Sequence, residues 1–301
     1  MLVARTLVGF ILGNTGVMFA MLADITPKNR LPFAIGWISA GGTLGMSIGP
    51  FLGGWALSRL TISQLYLLDA IACWVVVVVL WLLLRETRSR PRPDASTLDL
   101  LRALPSNVWA SRAVPPLFAL YFVVFLGANL QMPFVPLLVA AVYEGPDLPL
   151  AIGGVMLAVG VLSAVAAPLL GALAQRFGPR RVLTTALIFG AGAGVAQAIA
   201  PDYGWLLAAR AVYGLAQGGS APLVVSMIAV AAPEDRRGSI LNVILFPGYF
   251  AWLFGPLLGS GLAAIGIRFA FLGGAAVTAM AAGFNWILAR RAAADAEPVH
   301  D

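Results

Sequence analysis

The run CWVVVVVLWLLL, residues 73–84, holds twelve positions without a charge or a polar interruption. A strand of a membrane barrel alternates between lipid and lumen, and its sequence alternates with it. This run does not. Extended back to residue 64 it reaches about 20 residues, enough for a helix to cross a hydrocarbon core about 30 Å thick. Runs of similar length recur along the chain, giving spans at 3–23, 33–57, 64–84, 113–142, 150–174, 182–200, 204–231, 239–265 and 268–289. Inside a bilayer every backbone group must pair within its own segment, so these are helices. The 301 residues are 60% hydrophobic and 11% charged, with a mean hydropathy of +0.91. A soluble domain carries about a quarter charged residues. The fold class expected is an all-α polytopic membrane protein.

The net charge of +6 encodes orientation rather than a nucleic-acid partner. Lys and Arg number 15 in the alternate connections that include the C-terminal tail and 2 in the others. That asymmetry places the tail, Lys28 and Arg30, the 85–112 connection, Arg176, Arg180, Arg181, Arg236 and Arg237 in the cytoplasm. A multi-pass location in the inner or plasma membrane follows. Cys73, alone of its kind, lies mid-span and reads as packing; His300 sits in a polar tail. No metal or cofactor is expected, and nothing demands an oligomer, so the chain reads as a monomer.

Glycines are concentrated in GGTLGMSIGPFLGG, residues 41–54. Glycine costs roughly 1 kcal/mol and proline about 3 kcal/mol in a helix relative to alanine, so their presence needs a compensating reason. Gly41, Gly45, Gly49 and Gly53 recur every fourth residue and form one stripe without side chains. Such a stripe lets a neighbouring helix approach closely, and Pro50 kinks the helix beside it. One reading is static packing; the other is a seam that opens and closes. On the second reading Gly49→Leu blocks that movement without affecting insertion.

The same pattern appears twice. ARTLVGFILGNTG (4–16) matches ARAVYGLAQGGSA (209–221), with Arg5, Gly9 and Gly13 falling on Arg210, Gly214 and Gly218. PKNR (27–30) matches PEDR (233–236), and GPFLGG (49–54) matches GPLLGS (255–260), the offset passing from 205 to 206. The second stripe is Ala251, Gly255, Gly259 and Ala263, with Pro256. Repeated halves are a habit of secondary transporters. The organisation expected is a three-span bundle remnant (1–85), a basic linker (86–112), a six-helix bundle (113–290) and a tail (291–301). On the 206 offset the counterpart of residue 113 falls 93 positions before Met1, so three further spans are expected upstream.

Gly36, Gly45, Gly49, Pro50, Gly53 and Gly54 fit G-x8-G-x3-G-P-x2-G-G in full. That pattern resembles the fifth-helix signature of drug:proton antiporters in the major facilitator superfamily. GALAQRFGPRRVL (171–183) is similar to the superfamily's cytoplasmic loop motif, through Gly171, Arg176, Gly178, Arg180 and Arg181. There Gln175 replaces the usual Asp, and Pro179 interrupts the basic run. RTLVG (5–9) resembles the fourth-helix motif, with Val8 in place of Gln. The resemblance covers the whole chain as helices four to twelve of the family's twelve. It implies export by alternating access, protons as coupling ion, and a part for Arg5 in proton transfer or in tuning a nearby acid.

Ionisable groups inside spans are costly and functional by default. Arg5, Asp69 and Arg210 each lie about five residues from an outer end, where snorkelling would make them cheap. Asn129, Gln131, Gln217 and Asn242, with Asn14, Gln197 and Asn285, are the polar residues at mid-depth and the candidates for a substrate path. Pro133 and Pro136 predict a helix bent just beside Asn129 and Gln131. Phe122, Phe125, Met132, Phe134, Phe246, Tyr249 and Trp252 would make that path apolar and aromatic. Proton-coupled efflux of lipophilic or cationic drugs is the function expected. A metabolite permease and a truncated product without transport activity are the alternatives. A membrane enzyme lacks support: HExxH, a Cys/His cluster and a nucleotide loop are missing from the sequence.

Overall fold

The computed structural model describes residues 45–83, 111–233, 240 and 243–294. All regular elements among them are helices: residues 45–57 (α1), Ile62–Leu83 (α2), Val114–Gln131 (α3), Val135–Val142 (α4), Leu148–Phe177 (α5), Pro179–Ala198 (α6), Tyr203–Gln217 (α7), Ser220–Ala231 (α8), Leu245–Ile265 (α9) and Ile267–Ala294 (α10). Seven stretches of described helix are long and apolar enough to cross a membrane: α2, 114–142, α5, α6, 203–231, 246–265 and 267–291. The expected spans 3–23 and 33–44 lie outside the described residues. So does the 86–110 linker.

The chain divides into two compact units, residues 1–45 with 60–96, and residues 46–59 with 97–301. Helix α1, expected with the first bundle, therefore groups with the second. The described part of the first unit is essentially α2. Thr61 opens it with a capping box: Gln64 Oε1 accepts from the Thr61 backbone N–H at 2.9 Å, and Thr61 Oγ1 accepts from the Gln64 N–H at 3.4 Å. No residue of α2 is buried. Cys73, read as packing, is instead exposed on its surface.

In the second unit α3 packs on α9 and α10, α10 on α6, and α7 on α5 and α6. Between helices in lipid the hydrophobic effect supplies little, so close contact and hydrogen bonds must hold them. Gly214 and Gly218 of α7 show how. A Cβ on Gly214 would lie 2.7 Å from the Val159 carbonyl oxygen, and one on Gly218 would collide with that of Ser163. Ser163 Oγ uses the approach to donate to the Gly214 carbonyl at 2.9 Å. Gly218→Val forces the backbones apart and is expected to cost at least about 1–3 kcal/mol, the range for overpacking. A thermal-unfolding shift checks it.

The proline expectation holds. After Gln131 the α-helix gives way to a 3₁₀ turn, Met132–Phe134, before α4 resumes. At the opposite end of the unit, Asp202 caps α7 through the Trp205 N–H at 2.8 Å, while Trp205 Nε1 donates to the Ala196 carbonyl. Tyr203 donates to the Ala151 carbonyl at 3.0 Å and meets Tyr143 edge-on. These amphipathic rings sit where an interfacial belt belongs.

Candidate functional site

The glycine-rich helix α1 packs on α5 through a face the glycine stripe does not occupy. Gly54 faces the start of α5: a Cβ there would collide with the Pro149 carbonyl and lie 3.2 Å from the Leu150 Cα. One helical level on, a Cβ on Gly153 would come within 2.7 Å of the Phe51 Cα and the Pro50 carbonyl oxygen. Further along, a Cβ on Gly160 would overlap the buried side chain of Ser47. Ser47, Pro50, Phe51 and Gly54, at i, i+3, i+4 and i+7, form one helical face. Gly45, Gly49 and Gly53 meet nothing within 4 Å and form another. Gly36 lies outside the described residues.

The second copy is arranged the other way. Gly255 and Gly259 of α9 are buried against α3, where added Cβ atoms would meet Asn129 and the Leu130 carbonyl. Pro256 sits inside α9. On the 206 offset, Leu253, Leu257 and Ser260 correspond to Ser47, Phe51 and Gly54, and all three are exposed. Each copy thus fills, among the described residues, the face the other leaves open.

The ionisable candidates separate. Arg5 lies outside the described residues, and Asp69 is an exposed residue of α2. Arg210 does not snorkel: it is 3% exposed. Its position on α7 aims it into the bundle, where Nη1 donates to Gln197 Oε1 of α6 at 3.1 Å and the guanidinium lies 5.4 Å from the Tyr213 ring centre. Gln217 Nε2 donates to the Tyr213 hydroxyl at 2.7 Å, and Gln131 of α3 lies beside that hydroxyl. The acids among the described residues are Asp69, Glu144, Asp147 and Asp202, and none pairs with Arg210. Arg210 Nε and Gln131 Oε1 are buried without partners.

This polar layer lies between two apolar clusters. One gathers Leu117, Tyr121, Leu187, Val224 and Ile244; the other gathers Val135, Leu138, Val155, Leu206 and Phe271. Gln131 and Gln217 are thus brought together, whereas Asn129 donates back to the Phe125 carbonyl at 2.9 Å against α9. Asn242 lies outside the described residues. Tyr213 escaped the sequence reading because an aromatic three residues after Arg210 looks like ordinary core.

In the loop motif only Gly178 adopts a left-handed backbone, φ +86°, ending α5 and starting α6. Gly171 lies within α5. Gln175 is exposed, and Arg176 stacks over the Phe177 ring at 5.4 Å. Among the described residues Arg176, Arg180 and Arg181 reach no acid.

The described helices, their repeat and their membrane-length apolar surfaces define a polytopic carrier. The family model "Major Facilitator Superfamily" matches residues 1–164 and again 117–300. The chain belongs to the major facilitator superfamily of membrane transporters; it is not an enzyme, and its substrates are small molecules. It is 26% identical to Multidrug resistance protein MdtG of Dickeya zeae over 292 residues, 96% of this chain and 71% of that protein. It is 27% identical to MdtG of Citrobacter koseri over 293 residues, and 25% identical to the uncharacterized MFS-type transporter YuxJ of Bacillus subtilis over 255 residues. The latter match spans 65% of YuxJ.

Proposed function

We propose that the protein exports lipophilic or cationic compounds by proton antiport, the α1–α5 contact parting and reforming as access alternates. One observation carries this reading: the signature helix crosses α5 at glycine-limited distance over Ser47–Gly54. Where Gly153 and Gly160 of α5 and Gly54 of α1 bring the backbones together, no side chain from those positions has to disengage when the contact parts. On the orientation given by the positive charges, the Gly54–Pro149 contact lies at the outer end of α5, with the tail in the cytoplasm of a cell membrane. Arg210, in its polar layer, tunes the second bundle as Arg5 does the first. Exposed Phe246, Tyr249 and Trp252 on α9 support an aromatic wall for lipophilic cations. The relatives named for multidrug resistance support the same substrate class.

Cells expressing the transporter are expected to extrude a lipophilic cationic dye and to stop when a protonophore collapses the gradient. Extrusion indifferent to the protonophore removes the antiport mechanism. Accumulation of a polar metabolite without dye extrusion favours a permease.

A further inference from the structure

Two cavities meet at the Gly178 turn, and neither belongs to the seam or the polar layer. The first, about 590 Å³, is a groove between α5, α6 and α7 lined by Leu170, Leu173, Phe189, Val212 and Leu215. It runs from Arg181 to Phe189 of α6, about 12 Å along the axis at 1.5 Å per residue. The second, about 500 Å³, lies at the end of the bundle between Leu117, Pro179, Arg180, Ser226 and Ala289. Phe177 and Arg181 line both.

We propose that these two cavities form one site for an anionic phospholipid, its phosphate held by Arg180 and Arg181 and one acyl chain laid in the groove. Charge complementarity argues for that occupant. Arg180 lines the second cavity and its Nη1 is buried without a hydrogen-bond partner, so a charged donor stands unused beside that cavity. The Arg180 backbone is fixed by two donors to its carbonyl, Asn285 Nδ2 at 2.8 Å and Thr184 Oγ1 at 3.0 Å. The guanidinium therefore springs from an anchored point. No acid among the described residues lines either cavity. A guanidinium binds phosphate with two parallel N–H donors, and basic pockets between membrane helices suit anionic headgroups. The groove explains why the phosphate arrives on a lipid: a free anion has no use for an apolar trough that opens from the same arginine.

The test is retention of lipid by the intact purified protein, read by native mass spectrometry after exchange into mixed micelles of phosphatidylglycerol and phosphatidylcholine. The wild type is expected to retain phosphatidylglycerol on the order of tenfold over phosphatidylcholine. Arg180→Gln with Arg181→Gln removes the charge and keeps the bulk; Leu215→Trp fills the exposed rim of the groove and keeps the charge. Both are expected to abolish the preference while the monodisperse elution profile stays unchanged. Equal retention of the two lipids by the wild type overturns the site. So does a double-Gln variant that keeps the preference, which is the result if Arg180 turns inward to the unpartnered Asn285 Oδ1. Inorganic phosphate competing as well as phosphatidylglycerol, with Leu215→Trp inert, overturns the lipid in favour of a free anion.

Discussion

Gly54→Leu is expected to abolish transport while the protein still inserts and accumulates in the membrane. The position is buried, and its missing Cβ points at the Pro149 carbonyl, with the Pro149 carbonyl carbon at 2.8 Å and the Leu150 Cα at 3.2 Å. The obstacle is backbone rather than a side chain that can swing away. Accommodating a leucine means pushing α1 off the first turn of α5. Overpacking typically costs about 1–3 kcal/mol, and about 3 kcal/mol biases a two-state equilibrium by more than a hundredfold. The arrangement with α1 seated on α5 is then scarcely populated, and the transport cycle stalls. Insertion depends on the apolarity of the spans, which the change leaves alone. Dye efflux with membrane abundance measured in parallel checks it. Efflux at wild-type rate with normal abundance contradicts it. Gly49→Leu, whose Cβ meets open space, is accordingly the milder of the two.

Arg210→Met separates function from stability. A cation buried within a membrane helix costs up to about 2.5–3.5 kcal/mol on insertion scales, and no acid among the described residues offsets it here. Methionine keeps an unbranched stem, removes the charge, and removes the orphaned Nε with it. What is lost is the charged bond to Gln197, worth about 1.5–3 kcal/mol, and the contact with the Tyr213 ring. The unfolding midpoint is therefore expected to stay level or to rise. Transport is expected to fall at least about tenfold, because a costly buried charge persists where it acts. A midpoint lowered by several degrees assigns Arg210 to scaffolding. Normal transport with a raised midpoint leaves the charge without a role.

The spans were legible because bilayer thickness and backbone pairing leave a long apolar run one structure. The break after Gln131 was legible too, since Pro133 cannot donate within a helix. Depth along a helix, however, does not give direction around it. Arg210 sits at the depth from which a side chain can snorkel, but its azimuth on α7 turns it toward Gln197. The stripe at Gly45, Gly49 and Gly53, which meets nothing within 4 Å, did not locate the α5 contact for a similar reason. Small residues at a four-residue spacing mark a face without side chains, and a partner's location is set by the rest of the chain. The contact face, Ser47 through Gly54, carries Phe51 and Pro50 and so looked unsuited to close approach. Only the complementary glycines of α5, Gly153 and Gly160, make room for it, and those are read from α5 rather than α1. The pairing of Gln131 with Tyr213 spans some eighty residues of chain, beyond any local pattern.

The seam itself is tested most directly by a reversible lock. With Cys73→Ser to clear the background, Phe51→Cys and Leu150→Cys place two thiols across the α1–α5 crossing without adding a Cβ at a glycine that the crossing needs bare. If the seam must part in every cycle, oxidation stops dye efflux and a reductant restores it. Oxidised, fully cross-linked protein that pumps at the reduced protein's rate shows that α1 and α5 never separate, and the account of a moving seam is then wrong.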